Sequence, residues 1–314
     1  MKKFINICRK TQKELKAWLP KELKKLGYTV IQEDGFIYAP GKIPVLLTAH
    51  MDTVHKEPVK TVVVNDGIIS SPQGIGGDDR CGIYMILKLA QKHHCSILFC
   101  EDEEIGGIGS DKFSRSAYRK DLESLHYLIE LDRANKNDAV FYDCDNPEFT
   151  EWITTTTKTV EAHGSFSDIC NLSPVCKIAS VNFSCGYYKA HTTSEYVVFD
   201  EMLRMIDVVD ELLAVESKQF EFIEKKYAFG NSWYNDDYWR TYYGYTSKPK
   251  QTKVIDDEIT LWVNYMEKDT EDEDFVNGSS RNACWGKFFQ NHPNVCFNDV
   301  LDYQFDYNDD TYMY

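Results

Sequence analysis

The chain has 314 residues, of which 43% are hydrophobic and 14% aromatic, and its formal net charge is −15. This composition excludes a wholly disordered chain, and no run of about 18 apolar residues predicts a membrane span. The negative charge makes nucleic acid a poor partner. The ten cysteines are scattered, without a CxxC pair, which favours reduced thiols. We therefore predict a soluble cytoplasmic protein with neither a nucleic-acid nor a membrane partner.

The first predicted element is an amphipathic surface helix within residues 1–28. Its apolar positions, which recur with roughly helical spacing, are Phe4, Ile7, Leu15, Trp18, Leu19 and Leu23. Lysines interrupt the apolar positions, so the segment does not resemble a secretory signal peptide. A helix packed on the domain is favoured over a membrane or nucleic-acid contact.

Short apolar runs predict the buried strands of a largely parallel sheet, at residues 45–48, 96–100, 127–131 and 177–183. Helical periodicity predicts helices at residues 82–92 and 199–215. Strands that alternate with helices indicate an α/β fold, specifically a three-layer α/β/α sandwich with a mostly parallel central sheet. We assign residues 1–224 to this domain.

Residues 225–314 differ in composition, being dense in Tyr and Trp and then strongly acidic. We predict an aromatic and acidic C-terminal extension. An ordered module, a partner-binding segment and a partly disordered tail all fit this composition, and binding of a protein partner or self-association through the region is one interpretation.

Metal-ligand side chains occur in five segments, each at the end of a predicted strand or in the following loop, where ligands bind in open α/β sheets. The segments are 47–54 with His50 and Asp52, 74–82 with Asp78 to Arg80, 100–107 with Glu103 and Glu104, 129–133 with Asp132, and 186–196 with His191. Each segment alone has a structural alternative, such as a helix cap or a solvated acidic loop. Their combined order favours a metal centre.

Spacing suggests roles for some of these residues. Asp52 lies two positions from His50, so in extended backbone it can orient the imidazole. Of the adjacent Glu103 and Glu104, one can bind metal while the other acts as general base on water. A phosphate-binding loop fits residues 74–82 poorly, because the GK[ST] ending is missing and carboxylates occupy the phosphate position.

As a set, the motifs resemble those of the co-catalytic zinc exopeptidases, with greatest similarity to peptidase T and related aminopeptidases. The matching segments are HMDTV at 50–54, GGDDRCG at 76–82, EDEEIGGIGS at 101–110, ELD at 130–132 and GYYKAHTTSEYV at 186–197. The resemblance covers about residues 40 to 215. It implies a pair of zinc ions as cofactors, with Mn²⁺ or Co²⁺ as alternatives, and a short peptide or amide as substrate.

The resemblance also implies residue roles. The implied metal ligands are Asp78 shared by both ions, His50 and Asp132 in one site, and Glu104 and His191 in the other. Glu103 is implied to be the general base, and Asp52 to orient His50. A cis peptide bond is implied between Asp78 and Asp79.

The sequence departs from peptidase T because no segment is long enough to hold a lid domain between the motifs. A lidless enzyme needs local residues to bind the substrate terminus and the oxyanion. Residues 162–169 resemble the Ser-Asp segment of related aminopeptidases, which makes His163 a candidate oxyanion donor and Asp168 a candidate partner for a substrate amine. A helix cap at Ser167 is the structural alternative. Arg80 is a candidate for a substrate carboxylate, or an ordinary partner of Asp79.

The sequence therefore predicts a two-metal hydrolase that cleaves a peptide bond near a chain terminus, most simply an aminopeptidase or a di- or tripeptidase. One alternative is a deacylase or amidohydrolase acting on an N-acyl amino acid. Another is a non-catalytic metal-binding scaffold that acts through its C-terminal region. All implied ligands and Glu103 are present, which favours an enzyme.

Overall fold

The computed structural model describes residues 1–225. The predicted C-terminal extension lies outside the described residues, apart from residue 225. The α-helices of the described part are α1 (Lys2–Cys8), α2 (Gln12–Lys25), α3 (Gly77–Leu89), α4 (Ile108–Arg115), α5 (Pro147–Thr157), α6 (Asp168–Cys176) and α7 (Phe199–Ala214), and a 3-10 helix spans Ala117–Ser124. None of these helices is long and apolar enough to cross a membrane.

The strands form two sheets. Their bounds are β1 (Ile31–Glu33), β2 (Phe36–Ala39), β3 (Ile43–His50), β4 (Val63–Asn65), β5 (Ile68–Ser70), β6 (Cys95–Cys100), β7 (Tyr127–Arg133), β8 (Asp138–Val140), β9 (Val160–Ala162), β10 (Ser180–Ser184), β11 (Tyr187–Tyr188) and β12 (Tyr196–Val198). The large sheet has the order β1-β2-β6-β3-β7-β10-β8-β9, and its centre, β6-β3-β7-β10, is parallel. The small antiparallel sheet has the order β11-β12-β5-β4.

Side chains of the large sheet alternate between two hydrophobic cores. In β2, Ile37 and Ala39 join one core, whereas Phe36 and Tyr38 join the other. Helices α1, α2, α3, α5 and α7 contribute buried residues to the first core, and α4 and α6 contribute to the second. The central sheet is therefore covered by helices on both faces, which confirms the predicted three-layer α/β sandwich.

The N-terminal segment differs from the single surface helix that we predicted. Thr11 begins a new helix, because its hydroxyl accepts the Glu14 N–H while the Glu14 carboxylate accepts the Thr11 N–H. The residues of α1 and α2 that lie in the first core are Phe4, Ile7, Cys8, Leu15, Leu19 and Leu23. Both helices are therefore part of the core and not an attachment to its surface.

The cysteines of the described residues are free thiols, as predicted, and most are buried. They are Cys8, Cys81, Cys95, Cys100, Cys144, Cys170, Cys176 and Cys185. Burial raises the pKa of the Cys8 and Cys95 thiols to about 12, which keeps both protonated and unreactive at neutral pH. These thiols fill space in the cores and do not enter the site described below.

Candidate metal centre

Strands β3, β6 and β7 are adjacent and parallel, so their carboxyl ends meet at one edge of the sheet. His50 ends β3, the acidic loop (residues 101–104) follows β6, and Asp132 lies near the end of β7. Asp78 comes from the first turn of α3, and His191 from the loop between β11 and β12. Side chains from all five predicted segments therefore converge at this edge.

The predicted ligands form two clusters that share Asp78. In the first, His50 Nε2 lies 3.0 Å from Asp78 Oδ1 and 3.5 Å from Asp132 Oδ1. In the second, His191 Nε2 lies 3.2 Å from Asp78 Oδ2 and 3.1 Å from Glu104 Oε2. Each cluster holds three ligand atoms within 4.8 Å of one another. Imidazole nitrogen and carboxylate oxygen are ligand types that zinc accepts.

The charge and hydrogen bonding of the clusters also fit bound cations. The Oε1 atom of Glu104 is buried and has no hydrogen-bond partner among residues 1–225. Burial raises the pKa of Glu103 to about 10, and the carboxylate of Asp132 acts in the same direction. Burial and the neighbouring Asp78 raise the pKa of Asp132 to about 7. Because a nearby cation stabilises ionised carboxylates, metal ions would offset this repulsion.

Asp52 connects the buried histidine with the acidic loop. Its Oδ1 lies 3.1 Å from His50 Nδ1, which is the orienting contact expected from the sequence. The same carboxylate accepts the backbone N–H of Glu103 on Oδ1 and that of Glu104 on Oδ2, each at 3.0 Å. The Asp52 side chain therefore orients the His50 imidazole and also fixes the backbone of Glu103 and Glu104. The contact with this backbone was not predicted from the sequence.

The turn that carries Asp78 depends on an acid to which the sequence analysis assigned no role. The peptide bond between Asp78 and Asp79 is cis, as the resemblance implies. Glu195 is fully buried, and its carboxylate accepts the N–H groups of Gly76 at 2.8 Å and Asp78 at 3.0 Å. His55 Nε2 lies 2.8 Å from the same carboxylate. Glu195 therefore fixes the backbone on which the shared aspartate is mounted.

Neutral polar residues hold Asp132, and these too were not anticipated. Ser167 Oγ donates to Asp132 Oδ2 at 2.9 Å. Asn182 Oδ1 accepts the Asp132 N–H at 2.9 Å, and the Tyr187 hydroxyl donates to the Asp132 carbonyl at 3.2 Å. Ser167 occupies the cap position of α6, yet its side chain makes no capping bond. The Ser167 hydroxyl therefore binds the Asp132 carboxylate and does not cap the helix.

Arg80 does not contact the candidate site in the predicted way. Its side chain is buried, and Nη1 donates to the carbonyls of Met51 at 2.6 Å and Asp52 at 3.1 Å. Nη2 donates to the carbonyl of Lys10 at 3.2 Å. Because the guanidinium is enclosed and engaged by three carbonyls, the structure argues against both binding of a substrate carboxylate and an ion pair with Asp79.

The two candidate substrate residues after β9 are placed very differently. Asp168 is completely buried, and its backbone N–H donates to Glu130 Oε1 at 3.2 Å. This burial argues against the predicted contact with a substrate amine, because a substrate cannot reach the carboxylate. His163 is exposed in the loop between β9 and α6, and its role as an oxyanion donor stays a prediction.

The predicted absence of a lid agrees with the path of the chain. Between Asp132 and His191, the residues form β8, α5, β9, α6, β10 and β11, which belong to the sheets and the helical layers. No separate domain is inserted in this described stretch.

Searches with this sequence match no protein-family profile and no curated protein. Solved structures do match. The aminopeptidase PepT from Bacillus cereus has a TM-score of 0.53 at 15% identity, covering 68% of this chain and 96% of its own. A tripeptidase from Staphylococcus aureus has a TM-score of 0.53 at 15% identity, covering 67% and 95%.

A third similar structure is the TET1 peptidase from Pyrococcus horikoshii, which can assemble into a tetrahedron or a large octahedral shell. Its TM-score is 0.51 at 12% identity, covering 68% of this chain and 97% of its own. Likeness at such low identity is evidence for the fold and not for the activity. The described part of the chain therefore has the fold that these three peptidases share.

Proposed function

We propose that this protein is a two-metal hydrolase that cleaves the peptide bond next to a chain terminus, as an aminopeptidase or a di- or tripeptidase. The observation that carries the proposal is the pair of ligand clusters that share Asp78, with Glu103 beside them. Glu103 Oε2 lies 4.0 Å from His50 Nε2, so its carboxylate borders the first cluster without being needed to complete either.

We propose that His50, Asp78 and Asp132 hold one ion, and that Asp78, Glu104 and His191 hold the other. Zinc fits this mixture of imidazole and carboxylate ligands, and Mn²⁺ or Co²⁺ would also be accepted. When bound, a pair of such ions polarises a carbonyl group and lowers the pKa of water. The residues of the chain supply the remaining functions.

Glu103 is the proposed general base. It accepts a proton from the attacking water and delivers it to the departing amine nitrogen, so that a neutral amine leaves. Asp52 supports this role, because it fixes the Glu103 backbone and the His50 ring at the same time. The partly buried position of Glu103 shields the proton transfer from bulk water.

Peptides are the proposed substrates because an aminopeptidase, a tripeptidase and a further peptidase share this fold. The described residues between Asp132 and His191 place no separate lid domain over the site. An N-acyl amino acid is the alternative substrate, because its amide requires the same chemistry.

The test uses the purified full-length protein with zinc and a panel of short peptides that are free, N-blocked or C-blocked, together with N-acyl amino acids. We expect hydrolysis of the free and C-blocked peptides and none of the N-blocked peptides. Cleavage of the N-acyl amino acids alone would identify a deacylase. If the zinc-loaded protein hydrolyses no compound of the panel, the result would favour the alternative of a non-catalytic metal-binding scaffold.

The variant Glu103→Gln tests the proposed base. It removes the proton acceptor while keeping the size of the side chain, so the rate should fall by about 10²- to 10⁴-fold. The zinc content of the variant, measured by elemental mass spectrometry, should match that of the unaltered protein. The exposed Glu161 offers a matched control, since Glu161→Gln should leave the rate unchanged. A Glu103→Gln protein of full activity would remove this residue from the mechanism.

A further inference from the structure

The acidic loop is held from two directions. On one side, the Asp52 carboxylate accepts the backbone N–H groups of Glu103 and Glu104. On the other, the first two residues of the loop contact side chains of α2, which lie 85 and 90 positions earlier in the chain. This second set of contacts comes from a part of the sequence that carries no motif.

Gln12, the first residue of α2, makes two hydrogen bonds to Asp102. Its Nε2 donates to Asp102 Oδ1 at 2.8 Å, and its Oε1 accepts the Asp102 N–H at 3.2 Å. One turn later, Lys16 forms a partly buried ion pair with Glu101, whose carboxylate also accepts the Gly35 N–H at 3.0 Å. Both residues that precede Glu103 are therefore fixed by groups outside the loop.

The conformation of the loop explains why it needs such support. Asp102 has a φ of 60°, in the left-handed region that residues with a side chain adopt less readily than glycine does. A bidentate contact to this residue stabilises that backbone conformation and hence the direction in which Glu103 leaves it. The helix that supplies the contact is itself fixed, because Leu15 and Leu19 are fully buried in the first core.

We propose that Gln12 is a positioning residue for Glu103, and that α2 therefore contributes to the geometry of the catalytic site. This inference rests on the proposed function, in which Glu103 is the base. Gln12 does not touch the metal ligands or the reacting atoms. It acts through Asp102, by holding the backbone that aims the base.

The central experiment compares Gln12→Ala with Lys13→Ala in the full-length, zinc-loaded protein. Lys13 is the exposed neighbour of Gln12 on the same helix, so its removal controls for general effects on α2. Hydrogen–deuterium exchange should become faster in peptides that cover residues 101–107 for Gln12→Ala, and stay unchanged for Lys13→Ala. This measurement needs no enzymatic activity.

Steady-state kinetics should then distinguish a defect in the positioning of Glu103, which lowers kcat, from a defect in substrate binding, which raises KM. We expect kcat of Gln12→Ala to fall by about tenfold to a hundredfold, because a displacement of about 1 Å has effects of this size. The KM should remain within about twofold and the zinc content unchanged, because the mutated residue contacts neither substrate nor metal. A merely structural defect would lower zinc content and kcat together.

A rescue experiment tests the specific contact. Gln12→Glu keeps an acceptor for the Asp102 N–H but places a negative charge against the Asp102 carboxylate, so kcat should fall. Adding Asp102→Asn restores a donor opposite that charge, and kcat of the double variant should recover towards the unaltered value. Such recovery is expected only if the two side chains interact directly.

The outcomes are distinguishable. If the unaltered protein hydrolyses nothing, the proposed function fails, and exchange at residues 101–107 still decides whether Gln12 holds the loop. If that exchange does not change in Gln12→Ala, the contact does not hold the loop and the inference is wrong. If exchange increases while kcat stays the same, the loop is held but the base is not positioned by Gln12, which also overturns it.

Discussion

Ser167 donates a 2.9 Å hydrogen bond to Asp132 Oδ2, whereas Asp132 Oδ1 is the atom that lies near His50 Nε2. Groups that orient a ligand in this way contribute strongly to metal affinity. We expect Ser167→Ala to weaken zinc binding by about tenfold to a hundredfold. Competition with a coloured chelator measures this change directly, without any substrate.

The matched control for this prediction is Ser165→Ala, in the same loop. Ser165 is exposed, so zinc affinity should be unchanged when its hydroxyl is removed. Equal affinities for Ser167→Ala and the unaltered protein would mean that Asp132 is held sufficiently by Asn182 and Tyr187.

The contrast between predicted and unpredicted residues has a physical basis. Acids and histidines in ordered motifs were recognisable because few residue types bind metal. Ser167 is a common residue type, and its contact with Asp132 depends on the tertiary fold. Glu195 stood inside a recognised motif, four residues after His191, but sequence cannot show that an acid is buried and bonded to two backbone amides.

At the scale of elements, the two N-terminal helices carry more of the core than their lysine content suggests. Leu19 of α2 is fully buried, so Leu19→Ala should lower the free energy of unfolding by about 2–5 kcal/mol. The exposed Lys21, on the same helix, should change it by less than about 0.5 kcal/mol when mutated to Ala. Denaturant unfolding followed by circular dichroism measures both. Similar values for the two variants would place α2 outside the cooperative core.

The strands that the sequence predicted are the central ones. Residues 45–48, 96–100 and 127–131 lie within β3, β6 and β7, and the fourth run, 177–183, overlaps β10. These strands are buried on both faces and therefore appear as continuous apolar runs. The short strands of the small sheet span only two or three residues each, too few for a periodic pattern.

The break between α1 and α2 is marked in the sequence by the capping pair Thr11 and Glu14. The break was not predicted because the apolar positions on both sides of it recur with roughly helical spacing.

For the whole molecule, the proposed ions join segments that are distant in sequence. Chelation should therefore lower the Tm, and adding zinc should restore it. At a free zinc concentration a hundredfold above Kd, one bound ion stabilises the folded state by about 2.7 kcal/mol. Differential scanning calorimetry of the full-length protein tests this. A Tm that does not respond to chelator or zinc would contradict the assignment of these clusters as metal sites.

The two histidines differ sharply in their access to solvent. The side chain of His50 is 1% exposed, whereas that of His191 is 56% exposed. An ion held by His191 would therefore have a solvent-exposed ligand, whereas an ion held by His50 would have a buried one. The two ions would consequently differ in lifetime: an ion held by His191 would exchange faster with the medium than an ion held by His50.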